Sequence, residues 1–185
     1  MLETTYKTIK EKMQRTTDLL SLELSKIRTA RANPAILDEV KVDYYGNPTL
    51  LKQIASISAP EPRMLIIQPW DRNALPEIEK AIHKAEIGLN PQVEGNLVRI
   101  PIPALTEERR KELVKLCAKL AEDTKVAIRN IRREGNEQVK KLEKEKKISE
   151  DDTEGATKKI QEFTDEHIKT IDNLFQKKEK EILEK

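Results

Sequence analysis

The sequence predicts an α+β protein, in which an elongated antiparallel three-helix bundle carries an inserted, hinged small β/α/β domain. Stretches of heptad-like helix open and close the chain of 185 residues, about thirty residues at the start and about eighty at the end. All nine prolines lie between them, where short alternating segments replace the helical pattern. We therefore expect a bundle from residues 1–30 and 105–185 and a separate domain from residues 31–104.

The first helix is predicted over residues 3–28, because residues suited to a buried face recur at spacings of three and four. They are Tyr6, Ile9, Met13, Thr16, Leu20, Leu24 and Ile27. The second helix is predicted to begin after Thr106, a favourable N-cap, and to end near Lys147. Its predicted buried seam consists of Leu113, Cys117, Leu120, Thr124, Ala127, Ile131, Gly135, Gln138 and Leu142.

The third helix is predicted to begin after Ser149, with Asp152 three residues later in a pattern close to a capping box. Its apolar face contains Ile160, Phe163, His167, Ile171, Leu174 and Ile182. About two or three residues link the second and third helices, so these two must be antiparallel neighbours. The first helix ends at the joint where the second begins, so the three helices form an up-down-up bundle.

The inserted stretch has strand patterns on both sides of one short helix. Residues 40–44 alternate apolar and polar and are followed by a predicted turn at residues 46–48, residues 64–67 form a buried strand, and residues 98–102 alternate again. Asn73 is expected to cap a helix in which Leu75, Ile78, Ile82 and Ala85 share one face. These elements predict a small α+β domain.

The joint between the two bodies consists of two chain segments, because the bundle must bring Ala30 and Leu105 together. We expect Ala30 and Arg31 to form one side of this hinge, and Pro103, Ala104 and Leu105 to form the other. Proline fixes φ and restricts the residue before it, so the return segment is expected to be stiff.

The composition excludes several classes of protein. Charged residues make up 37% of the chain and aromatic residues 3%, which suits long amphipathic helices. One cysteine, Cys117, excludes an intrachain disulfide, and its position on the helical seam predicts a core residue. The longest apolar runs fall far short of a membrane span, and no signal peptide opens the chain, so we expect a cytoplasmic protein without a membrane partner.

We find no catalytic constellation, no metal site and no cofactor site in the sequence. His83 and His167 lie on predicted helices of different domains, and His167 is expected to be a hydrogen-bonded core histidine. No Cys/His spacing suits zinc and no glycine-rich loop suits phosphate. An enzyme is therefore the weaker hypothesis.

Two groups of arginines are candidates for binding a polyanion. Arg129, Arg132 and Arg133 share one face of the second helix, with Ile128 and Ile131 expected on the buried side. Arg28 and Arg31 form a second i, i+3 pair at the hinge end of the first helix.

The simplest interpretation of these arginines is ordinary solvated charge, because the net charge of the chain is only +2. Residues 125–147, however, hold nine Lys/Arg against four Asp/Glu, whereas residues 149–185 hold seven against eleven. This contrast either helps the two helices pack or leaves a basic face open. Guanidinium groups bind phosphate bidentately, and clusters spaced along a rod suit an extended, structured RNA.

The chain resembles the bacterial ribosome recycling factor family in segments that follow one another in order along nearly its whole length. The segments are residues 27–34 (Ile-Arg-Thr-Ala-Arg-Ala-Asn-Pro), 44–46 (Tyr-Tyr-Gly), 88–91 (Gly-Leu-Asn-Pro), 105–110 (Leu-Thr-Glu-Glu-Arg-Arg), 126–133 (Val-Ala-Ile-Arg-Asn-Ile-Arg-Arg) and 148–152 (Ile-Ser-Glu-Asp-Asp). Together these segments are specific, although none is so alone.

The resemblance implies an L-shaped protein with an outline similar to transfer RNA. It implies a cytoplasmic translation factor without an active site of its own, which splits post-termination ribosomes with elongation factor G and GTP and frees them from mRNA. The family's bundle lies against large-subunit ribosomal RNA, and its implicated arginines match Arg28, Arg31, Arg129 and Arg132. We add Arg133 on geometry alone. The resemblance also implies that elongation factor G acts at the smaller domain and the hinge.

Two residues depart from the family pattern. Ala30 stands where the family usually has glycine, and alanine favours continuing the helix by up to about 1 kcal/mol, which predicts a stiffer hinge. Gly135 stands where alanine is expected, and it either allows close helix packing or softens the rod.

The alternative function is structural. The chain could be a coiled-coil adaptor or chaperone-like protein that presents its small domain to a protein partner, with its helical seams paired between chains. Short loops and a hinge that closes on itself favour a monomer instead.

Overall fold

The structure, a computed structural model, describes residues Met1–Glu184. They divide into two compact units. The bundle unit comprises Met1–Ile27 and Glu107–Glu184, and the inserted unit comprises Arg28–Thr106. Residues 28–30 and 105–106, which we predicted as part of the bundle, therefore group with the inserted unit.

The helices, in chain order, are α1 (Leu2–Lys26), α2 (Leu51–Ile54), α3 (Leu75–Lys84), α4 (Glu107–Lys144) and α5 (Glu150–Leu183). The strands are β1 (Lys41–Tyr44), β2 (Asn47–Leu50), β3 (Ala55–Glu61), β4 (Met64–Pro69), β5 (Gln92–Glu94) and β6 (Leu97–Pro101). Two short 3-10 helices, Pro34–Leu37 and Arg72–Ala74, lie in the inserted unit. The predicted combination of a three-helix bundle and a small α+β domain is confirmed.

The bundle unit consists of α1, α4 and α5, which pack pairwise around one narrow core. Helix α4 has 38 residues and is therefore about 57 Å long at 1.5 Å per residue. Lys12 of α1 pairs with Glu134 of α4, and Lys125 of α4 pairs with Asp172 of α5. Arg132 of α4 meets Gln161 of α5, so the partner residue number on α5 falls as the residue number on α4 rises, and these two helices are antiparallel.

The buried seam of α4 differs from the predicted one beyond Cys117. Ala121, Ile128, Gly135 and Val139 are buried, whereas the predicted Gln138 is exposed. Three of these buried residues follow a strict spacing of seven, the repeat that keeps a seam facing its partner helices in a coiled bundle. The side of α4 that faces the core is therefore not the predicted one. It lies about one residue further around the helix axis, toward Arg132.

Gly135 allows the helices of the bundle unit to approach closely. A Cβ atom at this position would lie 3.2 Å from Ile9 Cγ1 and 3.4 Å from Ile160 Cδ1, and closer still to Ile9 Cδ1. The expectation of close packing at Gly135 is confirmed, and its cost in helix propensity is about 1 kcal/mol.

His167 and Cys117 both lie in the bundle core. The His167 ring donates a hydrogen bond from Nδ1 to the Phe163 carbonyl at 2.7 Å, and the side chain is 6% exposed. Cys117 is fully buried, and burial raises the pKa of its thiol. Both residues are core residues, as predicted.

The N-terminus of α5 is closed by the predicted capping interaction. The Asp152 amide donates to Ser149 Oγ at 3.1 Å, and the Ser149 amide donates to Asp152 Oδ2 at 3.0 Å. The backbone and side-chain hydrogen bonds from Ser149 lower the pKa of the Asp152 carboxyl. This capping box fixes where the chain re-enters the bundle after the turn that follows α4.

The inserted unit has a four-stranded antiparallel sheet in the order β3-β4-β6-β5 and a separate hairpin of β1 and β2. Helix α3 packs against β1, β5 and β6. A single apolar cluster joins the sheet, the hairpin and the helix, and its fully buried members include Val42, Leu65, Ile67, Ile78 and Ile100.

Three strands and one cap of the inserted unit were not predicted correctly. Strands β3 and β5 are edge strands that expose most residues, and β2 contains Pro48, which we had assigned to a turn. The turn is instead at Tyr45 and Gly46, which both have positive φ. Asn73 does not cap α3, whose N-cap residue, Ala74, makes no side-chain capping bond. Asp71 instead caps the 3-10 helix that precedes α3, because its side chain accepts from the Asn73 amide.

Candidate nucleic-acid interface

Three of the predicted arginines come together on α4. Ile128 beside them is fully buried, whereas Ile131, which we expected on the same buried side, is only half-buried. Because the core side is rotated from the prediction, Arg132 lies at the edge of the buried seam and is half-buried, and Arg133 is exposed. The three guanidinium groups therefore differ in their surroundings.

Arg132 lies against α5. Its Nη1 donates to Gln161 Oε1 at 3.1 Å, and Gln161 Nε2 donates to Asp165 Oδ1 at 2.8 Å. Within Met1–Glu184, no carboxylate pairs with Arg132. The sequence analysis missed Gln161 and Asp165, whose i, i+4 spacing was visible but whose relation to Arg132 depends on how α4 and α5 pack.

Arg129 has an acidic partner on its own helix. Its Nη1 lies 3.2 Å from Glu122 Oε1, and the two side chains are 41% and 59% exposed. The pair spans seven residues, so it joins two positions on the same side of α4. Solvent screens such a pair, and it contributes roughly 0–1 kcal/mol, so a phosphate group can compete for Arg129.

Arg133 is the most accessible of the three. It lies on the outer side of α4, and no hydrogen bond or ion pair of its side chain occurs within the described residues. Within the described residues, the cluster of Arg129, Arg132 and Arg133 thus presents one guanidinium with a carboxylate partner, one with an amide partner and one exposed to solvent. This set can contact several phosphates along an RNA surface.

Arg28 and Arg31 do not lie on a helix, in contrast to the prediction. Helix α1 ends at Lys26 because Ile27 takes extended backbone angles, with φ −74° and ψ 118°. Arg28 donates from Nη1 to the Ile87 carbonyl of the inserted unit, and both arginines are exposed. They therefore do not form the i, i+3 pair on a helix face that we expected.

Backbone hydrogen bonds hold the chain beside the two linker segments, residues 28–31 and 103–106, which contain the predicted hinge residues. The Ile27 amide bonds to Leu24 within α1, and the Ala32 amide donates to the Pro62 carbonyl at 2.6 Å. On the return segment, the Ile102 amide donates to the Arg63 carbonyl at 2.9 Å. The β3–β4 turn thus holds the chain at Ala32 and Ile102, next to the predicted hinge residues.

The inserted unit presents an exposed aromatic group. The Tyr44 and Tyr45 rings meet edge to face at 4.6 Å, and both hydroxyls donate to Asp71 Oδ2, at 3.3 and 2.7 Å. The hydrogen bond from Tyr45 lowers the pKa of Asp71, and the same bond raises the pKa of Tyr45. Tyr45 and Trp70 are both more than 70% exposed.

Other kinds of site receive no support from the described residues. Within Met1–Glu184, no three His, Cys, Asp or Glu side chains are grouped so that they could hold a metal ion. No helix in that part of the chain has the length and apolar character required to cross a membrane.

Comparison with known proteins identifies relatives along the whole chain. A family profile described as ribosome recycling factor matches residues 20–183. The chain is 55% identical over 179 residues to the ribosome-recycling factor of Acetivibrio thermocellus, covering 97% of this chain and 98% of that protein.

Solved structures of ribosome recycling factors are also similar to this chain. A solution structure of ribosome recycling factor superimposes with a TM-score of 0.78 at 44% identity, over 98% of this chain and 97% of that one. The T. thermophilus ribosome recycling factor, described with E. coli elongation factor G bound to the E. coli post-termination complex, gives a TM-score of 0.66 at 49% identity over both full chains.

Proposed function

The chain belongs to the ribosome recycling factor family, and from that premise we propose that it is a translation factor that disassembles post-termination ribosomes. It acts with elongation factor G and GTP, as the relative described on a post-termination complex suggests. Disassembly frees the ribosomal subunits and the mRNA for a new round of translation.

The bundle unit docks on large-subunit ribosomal RNA through its arginines. The observation that carries this proposal is the retained charge of Arg132, a half-buried guanidinium whose partner is a neutral amide. Arg129 and Arg133 extend the contact along α4, and their charges make binding dependent on salt. Arg28 and Arg31 are assigned to the same RNA by their match to the family pattern.

The inserted unit moves as a body about the two linker segments. The pivot on one side consists of Ala30 and Arg31, and on the other of Pro103, Ala104 and Leu105. The hydrogen bonds of Ala32 and Ile102 to the β3–β4 turn fix the linkers just inside the unit, which favours rotation outside those points. Elongation factor G displaces the inserted unit, and the long helices of the bundle unit transmit the displacement.

The remaining assignments follow from this role. The protein has no catalytic chemistry and needs no cofactor, because its partner hydrolyses GTP. It works as a monomer in the cytoplasm, where its substrate, the post-termination ribosome, is found. The coiling of α1, α4 and α5 around one core within the chain favours a monomer over the adaptor alternative.

Sedimentation of purified post-termination ribosomes tests this function. We expect subunits to appear only when the protein, elongation factor G and GTP are all present, and omission of any one to leave the ribosomes intact. Subunits that appear without elongation factor G, or intact ribosomes in the complete mixture, would contradict the proposal. Light scattering provides the second test, because a stable dimer would favour the adaptor.

A further inference from the structure

Two basic residues of α4 occupy equivalent positions in the helical repeat, yet they have different partners. Lys125 and Arg132 are seven residues apart, and each lies beside the buried seam, facing α5. Lys125 Nζ lies 2.5 Å from a carboxylate oxygen of Asp172, and its side chain is 19% exposed. Arg132 instead meets the neutral amide of Gln161. One position is therefore charge-compensated and the other is not.

The amide of Gln161 has only one orientation that satisfies both neighbours. Arg132 can only donate hydrogen bonds, so the amide oxygen must face it. The ionised Asp165 carboxylate can only accept, so the amide nitrogen must face that residue. The distances of 3.1 Å to Arg132 and 2.8 Å to Asp165 agree with this arrangement. Asp165 therefore holds Gln161, and Gln161 holds Arg132.

We propose that Gln161, oriented by Asp165, is a positioning residue that holds the Arg132 guanidinium for a ribosomal RNA phosphate without neutralising it. The inference rests on the RNA contact under the proposed function. A guanidinium has five N–H donors, and the bond to Gln161 uses one of them, which leaves enough for a bidentate phosphate contact. A carboxylate at the same place would hold the side chain equally well but would cancel its charge.

The two other arginines of this cluster, Arg129 and Arg133, show what this arrangement adds. Arg129 is held by the carboxylate of Glu122, whereas Arg133 is exposed and has no hydrogen-bond or ion-pair partner within the described residues. Of these three arginines, Arg132 alone has a side-chain partner that is not a carboxylate within Met1–Glu184. A side chain that is already ordered loses less conformational freedom when it binds, so Arg132 is the anchor of the contact.

A pair of substitutions that moves a carboxylate along α5 tests the inference. The double variant Gln161→Glu with Asp165→Asn moves one carboxylate by a single helical turn, from residue 165 to residue 161, and leaves the net charge unchanged. Gln176→Glu, at an exposed position further along α5, is the matched control for a new carboxylate on this helix. Both are compared with the full-length wild type in binding to purified ribosomes over a range of salt concentrations.

We expect the double variant to bind about tenfold more weakly near 0.1 M salt, as for the loss of a charged hydrogen bond. Its slope of log K against log salt should also be shallower, by about 0.7 to 0.9, because one phosphate contact is lost. The melting temperature should stay close to that of the wild type, and Gln176→Glu should change neither the affinity nor the slope.

The same comparison in an Arg132→Ala background separates a positioning role from a structural one. If Gln161 acts through Arg132, the double variant has no further effect on affinity or slope once the guanidinium is absent. An equal loss in both backgrounds, or unchanged binding in the wild-type background, would overturn the inference while leaving the RNA contact intact. Failure of the wild type itself to bind ribosomes would instead overturn the proposed function, and the inference with it.

Discussion

The two units of this chain reach stability by different means. Among the described residues, the inserted unit buries sixteen apolar side chains in one cluster, whereas the bundle unit buries thirteen, spread along helices of up to 38 residues. The bundle core also contains Thr17, Thr164 and His167, which bond to carbonyls of their own helices. A narrow core leaves most of each long helix exposed, and this surface is where the arginines lie. A compact core suits a unit that moves as one body.

Truncation of a core side chain should give the largest loss of stability, and the loss should be confined to the unit that contains the substitution. Ile67→Ala in β4 and Ile128→Ala in α4 both remove fully buried side chains, which costs about 2–5 kcal/mol. We expect Ile67→Ala to lower amide hydrogen-exchange protection in the inserted unit, and Ile128→Ala to lower it in the bundle unit. If either substitution lowers protection in both units equally, the two cores are one cooperative structure.

A smaller effect should appear at Gly135, where the helices of the bundle unit approach closely. Gly135→Ala gains about 1 kcal/mol of helix propensity, but its methyl group must displace Ile9 Cδ1. We expect no net stabilisation in the wild type, and stabilisation by up to about 1 kcal/mol in an Ile9→Val background, where that methyl group is absent. Chemical denaturation of the four proteins measures the coupling. Additive effects would show that the helices adjust without strain.

The hinge should respond to a change in backbone freedom. Because α1 ends at Lys26, Ala30 is not in the helix, and our expectation that it extends that helix was wrong. Alanine still restricts φ and ψ relative to glycine, by less than about 1 kcal/mol. We expect Ala30→Gly to widen the distribution of distances between fluorescent labels on exposed Lys140 and Lys80. An identical distribution for the wild type would contradict a stiffer hinge.

The smallest expected effect is a change in how the stability of each unit depends on pH in the acid range. Asp71 in the inserted unit and Asp152 in the bundle unit both have lowered pKa values, because each carboxylate accepts hydrogen bonds that favour its charged form. Their contribution to stability is present above the ordinary carboxyl pKa and is lost as pH falls through the lowered value. Asp71→Asn should weaken acid dependence in the inserted unit alone, and Asp152→Asn in the bundle unit alone, as measured by hydrogen exchange against pH.

The sequence predicted the elements that have strong periodicity and missed those without it. The long helices and strand β6 carry repeating apolar patterns, strand β4 is a continuous apolar run, and the Ser149 cap has the residue spacing of a capping box. Strand β5 is exposed at every residue, and β3 and β2 contain Pro60 and Pro48. These strands are formed by pairing with a neighbour rather than by burying a face, so no alternation reveals them.

The same reasoning explains what could be predicted of the candidate site. The α4 arginines were visible as a spacing, because i, i+3 and i+4 positions share a helix face wherever the helix lies. Their partners were not, because Gln161 meets Arg132 only through the packing of α4 on α5. The rotation of the buried seam toward Arg132 also depends on packing, since Gly135 sets how closely α1 and α5 approach.

The most direct test of the account is the binding of Arg132→Ala to post-termination ribosomes, measured together with its melting temperature. Arg15→Ala, which removes an exposed arginine from α1, is the matched control. We predict that Arg132→Ala loses about 1–3 kcal/mol of binding free energy, keeps its melting temperature, and regains subunit release when added in excess. Unchanged binding would contradict the assignment of Arg132 to the docking surface, and a large fall in melting temperature would show that Arg132 is structural instead.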